Sequence, residues 1–403
     1  MTLLEKLNDK TTWLEFQQYK NEKAQLSEKE QKQLETFIVE ERYKPLAQSL
    51  DLGIPKKMMI TKSGSSKKRV VYCFGKDETW MLKLLGWLLY KYDKKISANC
   101  YSFRRRMSAK DAVEKILRIK DLNNKYVLKV DIHNYFNSIP VEGIVDILKQ
   151  IIEDDEPLLD FLIRIFTDGR CLYNDEIIKE ERGAMAGIPL ASFIANIYLL
   201  SLDNLFDQMR IPYFRYSDDI LVFTDNKQQC QECLRIITQH IEEKGLTLNE
   251  DKLVITEPGQ PWDFLGFRYV NGKVDLALAT IEKTKGKIRR KAHSLYRYRL
   301  KKNASFQDAA FKMIKTFDCK FYDMTGENEF TWSRWFFPVI TSTDGLHQID
   351  EYMVMYLRYL ATGRHYKGNY RIDYQQLKNL GYTSLVNEYY TWKKECEELE
   401  KLA

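Results

Sequence analysis

The chain contains 403 residues, of which 44% are hydrophobic, 13% aromatic and 30% charged. This composition excludes an intrinsically disordered or fibrous protein, and the length allows two or three domains. The sequence has no run of about eighteen apolar residues, and the charged side chains among the first ten residues argue against a signal peptide. Seven irregularly spaced cysteines predict reduced thiols rather than a disulfide framework. We therefore expect a cytoplasmic protein that does not contact a membrane.

The net charge of +6 says little about partners, but the distribution of the charge says more. Residues 283–302 carry a dense series of Lys and Arg side chains, no acidic ones, and interleaved aromatic rings. Shorter basic groups occupy residues 67–69 and 104–106. Such stretches suit a groove that follows a nucleic-acid backbone, since cations displace counterions from phosphates and rings stack on bases. Any one of them alone is equally typical of a solvated helix face.

In chain order, residues 1–55 predict two or three polar helices, which form an N-terminal helical extension. Residues 56–270 alternate between strand-like and helical patterns, which predicts an α+β domain with an antiparallel hairpin at its centre. The predicted strands are 69–74, 126–131, 253–256 and 264–269, the hairpin is 213–223, and the predicted helices are 78–92, 141–153, 190–206 and 228–244. After Gly272 the chain is predicted to be helical and basic, so residues 271–403 form a third unit.

Two adjacent acids, Asp218 and Asp219, follow Ser217 between strand-forming residues. This pattern predicts a tight hairpin turn. Buried adjacent carboxylates repel each other at a cost of several kcal/mol unless a cation neutralises them. Ser and Asp are also ordinary turn residues, so the turn alone is weak evidence for a metal site.

Asp131 ends a second strand-like run, residues 126–131. A carboxylate at the end of one strand, next to a pair at a neighbouring hairpin turn, can build an oxygen-rich site for two Mg²⁺ ions. Two such ions activate a primer 3′-hydroxyl and stabilise departing pyrophosphate during nucleotidyl transfer. Considered alone, Asp131 would be interpreted as a helix N-cap.

Five ordered motifs resemble those of bacterial reverse transcriptases of the group II intron and retron-related class. They are Asp131 with Phe136 (motif A), residues 183–199 (motif B), Tyr216–Asp219 (motif C), residues 245–249 with Lys252 (motif D) and Phe264–Phe267 (motif E). The resemblance implies a right-hand polymerase, with fingers and palm over residues 56–270 and an all-helical thumb over residues 271–403.

The resemblance implies that Asp131, Asp218 and Asp219 are catalytic and, with Ile132, form the metal site, which takes two Mg²⁺ ions for which Mn²⁺ can substitute. Phe136 falls at the steric-gate position that selects deoxynucleotides, although an aromatic side chain there could equally belong to the core. Lys252 is a candidate proton donor to pyrophosphate or, equally, a surface lysine. With the basic stretches, the motifs place nucleotide-binding residues at Lys67, Arg69, Phe136, Gly187 and Lys252, and nucleic-acid-binding residues at Arg104, Tyr216, Phe264, Leu265, Gly266, Lys287, Arg289 and Arg290.

One departure from the family pattern lies in motif B, where Met185 and Ala186 stand at the usual Pro and Gln positions. With the compact length, this departure resembles the stand-alone defence-associated reverse transcriptases, the second type among them. We therefore expect deoxynucleoside triphosphates as substrates, a dedicated non-coding RNA as template, a cDNA product and a role against phage. The alternatives are a retron- or intron-derived enzyme without a defence role, and an RNA-binding scaffold with a vestigial palm.

Overall fold

The computed structural model describes residues 2–23, 26–61, 68–322 and 331–402. The chain divides into two compact units, Met1–Gly259 and Gln260–Ala403. The predicted domain limits at residues 55 and 270 remain predictions. No helix in the described ranges is long and apolar enough to cross a membrane.

The first unit combines helices with two four-stranded sheets. Its helices are α1 (Lys10–Glu22), α2 (Glu28–Val39), α3 (Tyr43–Ser49), α4 (Lys76–Leu88), α5 (Ala109–Leu117), α6 (Tyr135–Ser138), α7 (Val141–Ile151), α8 (Glu156–Asp168), α9 (Ala191–Tyr198), α10 (Leu200–Met209) and α11 (Lys227–Glu243). Its strands are β1 (Lys56–Thr61), β2 (Lys68–Cys73), β3 (Tyr126–Asp131), β4 (Arg170–Tyr173), β5 (Glu176–Lys179), β6 (Tyr213–Tyr216), β7 (Asp219–Thr224) and β8 (Val254–Thr256).

The N-terminal helices form where the sequence predicts them and are held by capping and aromatic packing. Asp9 caps α1 by accepting the N–H groups of Thr11 and Thr12, and Ser27 forms a capping box at the start of α2. The ring of Trp13 is fully buried and lies 5.1 Å from that of Phe37, centroid to centroid. These helices belong to the same compact unit as the sheets.

The central sheet has the order β6-β7-β3-β8 and is antiparallel throughout. The register of β3 and β7 runs from Tyr126 opposite Thr224 to Asp131 opposite Asp219. Their apolar side chains are buried, and α11 packs against both strands. The second sheet, β2-β1-β4-β5, is antiparallel except for a parallel pairing between β1 and β4.

The second unit contains a three-stranded antiparallel sheet, β11-β10-β9, followed by helices, of which α12 packs along α15. Its elements are β9 (Trp262–Phe264), β10 (Phe267–Val270), β11 (Lys273–Leu276), α12 (Leu278–Lys302), α13 (Phe306–Phe321), α14 (Trp332–Phe336), α15 (Asp344–Thr362), α16 (Tyr374–Asn379) and α17 (Leu385–Leu402).

The mixed helix-and-sheet class is confirmed, but three local predictions need correction. The segment 264–269 is not one strand, because a turn at Leu265 and Gly266 separates β9 from β10. The prediction of helix from Gly272 onward is wrong for residues 273–276, which pair with β10 as β11. The predicted helix 190–206 is divided into α9 and α10 at Leu199.

Candidate active site

The hairpin of β6 and β7 turns at Ser217 and Asp218, as the sequence predicts. Ser217 has a φ of 60°, the left-handed conformation that a tight two-residue hairpin loop uses at its first position. Asp219 begins β7 directly opposite Asp131, the last residue of β3. The N–H of Ile132 donates to the carbonyl of Asp218 at 3.2 Å. The three predicted catalytic acids therefore meet at one end of the central sheet.

The surroundings of Asp218 and Asp219 favour the protonated forms of these two acids. Burial raises the pKa of Asp218, and repulsion from Asp131 raises it further. A hydrogen bond to the backbone of Asp218 lowers the pKa but does not cancel these effects. Burial also raises the pKa of Asp219, and repulsion from Asp218 and Asp131 adds to this rise. Attraction to Lys129 lowers the pKa but does not cancel the rise. Bound cations stabilise the ionised form of such carboxylates, so the site has the electrostatics of a cation site.

Asp131 is 4% exposed and is held by partners from the segment after α11. Its carboxylate accepts from Asn249 Nδ2 at 3.0 Å and from Lys252 Nζ at 2.5 Å, and its carbonyl accepts the N–H of Asn249 at 2.7 Å. Burial lowers the pKa of Lys252, but its bond to Asp131 and the nearby carboxylates outweigh burial and raise it. Lys252 is therefore protonated beside Asp131, and its role toward pyrophosphate stays a prediction.

The donor set fits a hard divalent cation, since it consists of the carboxylate oxygens of buried Asp131 and of partly buried Asp218 and Asp219. Across residues 2–23, 26–61, 68–322 and 331–402, however, no three His, Cys, Asp or Glu side chains are grouped to hold a metal ion. Asp131 points one oxygen at Lys252 in this arrangement. Each oxygen of the Asp131 carboxylate retains a lone pair beside its bond to Asn249 or Lys252.

A fully buried ion pair anchors the hairpin turn from below. Arg215 bonds to both oxygens of Asp203, with Nε–Oδ1 2.7 Å and Nη2–Oδ2 2.6 Å, and both side chains are 0% exposed. Its other N–H groups donate to the carbonyls of Ser217 at 3.2 Å, Asn196 at 2.8 Å and Ala195 at 3.4 Å. The position of the turn therefore depends on the buried charge of Arg215, for which no role was predicted. In the sequence, the only sign of this role is an Arg placed among strand-forming aromatic residues.

Ser102 makes a second connection to the turn. Its hydroxyl accepts the N–H of Ser217 at 2.9 Å and donates to Asn196 Oδ1 at 2.7 Å, while Asn196 Nδ2 donates back to the Ser102 carbonyl at 2.6 Å. Ser102 and Asn196 are both buried. Asn196, which lies within motif B, thus holds the segment before Phe103 against the turn at Ser217 and Asp218.

Phe136 is half-buried beside two other rings. Its centroid lies 6.2 Å from that of Phe103, which lies 6.3 Å from that of Tyr216. Phe103 is 44% exposed and has a φ of 53°, an uncommon backbone conformation for a bulky residue. Phe136 and Tyr216 are predicted site residues, whereas Phe103, whose ring lies between theirs, has no predicted role.

The motif B loop packs against β2. Gly187 has a φ of 106°, and a Cβ there would lie 3.0 Å from the carbonyl oxygen of Tyr72. Ala186 accepts the N–H of Tyr72 at 2.8 Å, and Met185 is buried in the core. Asn137, just after Phe136, donates to the carbonyl of Val70 and accepts from Ala186, each at 3.4 Å. Met185 and Ala186, the two residues that depart from the family pattern, therefore lie in a loop that packs against the core and β2.

The remaining first-unit predictions are placed as follows. Arg69 is exposed on β2, and Lys67 lies outside the described residues. Arg104 is largely buried: it donates to the carbonyl oxygens of Asp93 at 2.8 Å and Ser97 at 2.7 Å. These internal bonds leave Arg104 poorly placed for a phosphate, and its interaction with nucleic acid stays a prediction.

In the second unit, the motif E residues form the β9–β10 turn. Phe264 is buried, whereas Leu265 and Gly266 both have positive φ, of 51° and 89°. A Cβ on Gly266 would lie 3.1 Å from Thr280 Oγ1. The predicted thumb cations Lys287, Arg289 and Arg290 are all exposed on α12.

Comparison with known proteins points to one family. A family model described as reverse transcriptase (RNA-dependent DNA polymerase) matches residues 54–269, more than half of the chain. The retron Ec73 reverse transcriptase of Escherichia coli is 26% identical over 208 residues, which cover 47% of this chain and 60% of that protein. The COX1/OXI3 intron 1 protein of Saccharomyces cerevisiae is 22% identical over 231 residues, which cover 44% of this chain and 28% of that protein.

The chain thus spans less than two thirds of the length of these relatives. Among solved structures, the apo telomerase from Candida tropicalis truncated from its C-terminal domain has a TM-score of 0.46 and 13% identity. That comparison covers 56% of this chain and 55% of the telomerase chain. A score at this level carries no argument about function.

Proposed function

As this chain belongs to the reverse transcriptase (RNA-dependent DNA polymerase) family, we propose that it copies an RNA template into DNA from deoxynucleoside triphosphates. The observation that supports this reaction best is the register of the central sheet, which sets Asp131 opposite Asp219 with Asp218 in the adjoining turn. In this proposal residues 56–270 act as fingers and palm, residues 271–403 as the thumb, and residues 1–55 as an extension. The reaction takes place in the cytoplasm.

The proposed cofactor is a pair of Mg²⁺ ions, for which Mn²⁺ can substitute. Asp131 and Asp218 would hold them directly, with Asp219 as an auxiliary carboxylate and the main chain of Ile132 beside Asp131. Bound there, the ions would activate the primer 3′-hydroxyl and stabilise the developing charge on pyrophosphate. Lys252 holds a proton on Nζ next to these acids, which suits donation to the leaving pyrophosphate.

Primer extension tests the catalytic assignment. We expect Asp218→Ala and Asp219→Ala to abolish extension of a primer on an RNA template with Mg²⁺, because each variant removes a carboxylate from the metal site. Asp225→Ala is the matched control, since Asp225 lies just past the opposite end of β7 and pairs with Lys125. Extension by Asp218→Ala and Asp219→Ala at the rate of the control would refute the assignment and favour an RNA-binding scaffold.

Phe136 is the proposed steric gate, and its half-buried position beside Phe103 leaves part of its ring accessible. We expect Phe136→Ala to incorporate ribonucleotides more readily relative to deoxynucleotides, because the ring would no longer clash with a 2′-hydroxyl. Single-nucleotide incorporation with paired substrates measures this ratio. An unchanged ratio with normal thermal stability would assign Phe136 to the core alone.

The proposed template is a dedicated structured non-coding RNA, and the proposed role is defence against phage. The support is the altered motif B, whose Met185 and Ala186 are packed against the core and β2 rather than left open to a general template. The similarity to a retron enzyme and an intron protein favours the alternative of a retron- or intron-derived polymerase without a defence role.

Sequencing the RNA and DNA that co-purify with the protein from its host separates these possibilities. One abundant RNA with matching cDNA would support a dedicated template, whereas random cellular RNA would refute it. The defence role predicts that the host loses phage resistance when Asp218→Ala replaces the parent protein. If the host stays resistant to phage with this substitution, defence does not require DNA synthesis by the protein.

A further inference from the structure

Phe103 combines an unfavourable backbone conformation with a ring that is only partly buried. Its φ of 53° lies in the left-handed region, where Gly, Asn or Asp is the usual residue and a bulky side chain is uncommon. Its side chain is 44% exposed, so burial of the ring offsets little of this strain. Strained residues persist only where the surrounding structure fixes them, and they cluster at active sites.

The chain before Phe103 is fixed to the hairpin strand β6. The N–H of Arg215 donates to the carbonyl of Asn99 at 2.8 Å, and the N–H of Tyr101 donates to the carbonyl of Arg215 at 2.9 Å. The hydroxyl of Ser102, the next residue, accepts an N–H of the catalytic turn. Residues 99–102 are therefore held along the strand that leads into this turn.

The chain after Phe103 is fixed by Arg104. Its guanidinium donates to the carbonyls of Ser97 at 2.7 Å, Asp93 at 2.8 Å and Cys100 at 3.2 Å. The side chain of Arg104 is only 10% exposed. Because both neighbours of Phe103 are held in this way, its strained conformation is imposed by the surrounding protein, and this conformation sets where the ring lies.

The ring of Phe103 lies between those of Phe136 and Tyr216. It meets Phe136 edge to face, with centroids 6.2 Å apart and planes at 78°, and it meets Tyr216 at 6.3 Å and 44°. Phe136 also meets the ring of Tyr135 edge to face at 5.8 Å, and the hydroxyl of buried Tyr135 donates to the carbonyl of Ala195 at 2.7 Å. Edge-to-face pairs of this kind are favourable. Of the two rings that hold Phe136, only Phe103 comes from another segment of the chain.

We propose that Phe103 is a positioning residue for sugar discrimination, whose ring holds the ring of Phe136 where it excludes a 2′-hydroxyl. Contact with Tyr216, the last residue before the catalytic turn, ties this position to the metal-site acids. The proposal rests on the proposed function, since it takes Phe136 as the steric gate. It adds to the selection of deoxynucleotides a residue from the segment between α4 and α5.

Single-nucleotide incorporation with paired ribonucleotide and deoxynucleotide substrates tests the proposal. We expect Phe103→Ala to raise the use of ribonucleotides relative to deoxynucleotides about two- to tenfold, the range that corresponds to loss of one aromatic pair. The change should appear as a lower KM for the ribonucleotide, because a loosened Phe136 ring clashes less with the 2′-hydroxyl. The kcat with the deoxynucleotide should stay within about twofold of the parent, since the acids are unchanged.

Two further substitutions separate the ring from the backbone conformation. Phe103→Tyr keeps the ring and should keep the discrimination of the parent. Phe103→Asn suits the left-handed conformation but lacks the ring, so it should discriminate as poorly as Phe103→Ala. Parent-like discrimination in Phe103→Asn would overturn the proposal, because the backbone alone would then be sufficient.

Phe311→Ala is the matched control. Phe311 is 54% exposed on α13 in the second unit, so this variant loses an equally large exposed ring elsewhere and should leave discrimination unchanged. Thermal unfolding checks that every variant folds. A folded Phe103→Ala that incorporates deoxynucleotides more slowly without altered discrimination would assign Phe103 to the turn alone and overturn the proposal.

The double variant Phe103→Ala/Phe136→Ala tests whether Phe103 acts through Phe136. It should discriminate no worse than Phe136→Ala alone, because residues that act through one contact are not additive. A further loss of discrimination would overturn the proposal. If Phe136→Ala alters discrimination and Phe103→Ala does not, the proposal fails while the gate stands. If Phe136→Ala itself has no effect, the gate assignment fails first and the proposal fails with it.

Discussion

Gly187 lies where the motif B loop crosses β2 too closely for a side chain. We expect Gly187→Ala to destabilise the protein by about 1–3 kcal/mol through backbone strain, and by more through contact with Tyr72 and Val71, which lie 3.0 and 3.2 Å from the added Cβ. Urea unfolding measures the change. Gly53→Ala is the control, because Gly53 also has positive φ but has nothing within 4 Å of an added Cβ. An equal cost for both variants would show that the contact with β2 is unimportant.

The ion pair between Arg215 and Asp203 gives a second prediction at the scale of single residues. Removing one partner leaves the other charge buried, so Arg215→Met should cost about 3–5 kcal/mol in the free energy of unfolding. The double variant Arg215→Met/Asp203→Leu should recover much of this loss in chemical unfolding. It should not recover primer extension, because the carbonyl of Ser217, next to Asp218, would still lack its donor.

The contradicting result for this pair is equally specific. If the double variant extends primers as the parent does, Arg215 stabilises the fold without positioning the turn. Arg215→Lys keeps the charge but cannot form the forked contacts of a guanidinium. It should therefore fold and extend primers more slowly than the parent, mainly through kcat rather than KM.

At the scale of elements, hydrophobic pattern and turn chemistry predicted the core of the site. β3 has its predicted limits, and the hairpin turns where Ser217 and Asp218 allow it, because alternation and turn residues are local signals. β11 was missed because Lys273–Leu276 is only four residues long and acquires its stability by pairing with β10.

Contacts that depend on tertiary structure could not be predicted in the same way. Arg215 would be expected at a surface from its residue type alone, and only the fold brings Asp203 to it within a dry interior. The aromatic link through Phe103 has the same origin, since Phe103 and Phe136 are distant in sequence. The order of the motifs therefore identified the three acids, whereas the residues that hold them in place, such as Arg215 and Asp203, were found only in the structure.

The helix α12 carries the densest positive charge in the second unit, and it yields a prediction for RNA binding. Partial burial lowers the pKa of Lys287, and repulsion from Lys283, Lys320 and Arg290 adds to this, as expected for an exposed cluster of cations. We expect replacement of Lys287, Arg289 and Arg290 by Gln to weaken binding to an RNA–DNA duplex. The slope of log affinity against log salt should fall by about two to three.

The control for α12 neutralises three lysines of α17, Lys393, Lys394 and Lys401, which are interleaved with glutamates. This triple variant should leave the slope nearly unchanged, because the five glutamates of α17 outnumber its three lysines and disfavour phosphate there. Fluorescence anisotropy at several salt concentrations measures both slopes. Equal slopes for the two triple variants would mean that total charge, rather than α12, determines affinity.

At the scale of the whole molecule, the family match and the compact units end at different residues. The match runs to residue 269, whereas the first unit ends at Gly259. The reason is that β9 and β10 form their hydrogen bonds with each other and with β11, all within the second unit. Motif E is thus part of the family pattern in sequence and part of the second unit in structure.

This division predicts the outcome of cutting the chain between Gly259 and Gln260. The amide of Gly259 donates to the carbonyl of Asn123 within the first unit, and residues 257–261 are exposed. We expect cleavage at a protease site inserted there to leave both fragments folded, because each unit has its own buried core and complete sheets. Hydrogen exchange should show slow amides in β3 and β7 of one fragment, and in α12 and α15 of the other.

A matched insertion between Leu265 and Gly266 should behave differently. Cleavage there separates β9 from β10 and removes the turn that Gly266 stabilises through Ala277 and Thr280. Amides of β10 and β11 should then exchange faster than after cleavage at Gly259. If the cut at Gly259 exposes them equally, the sheet of the second unit depends on residues before Gln260, and the boundary lies nearer to the predicted residue 270.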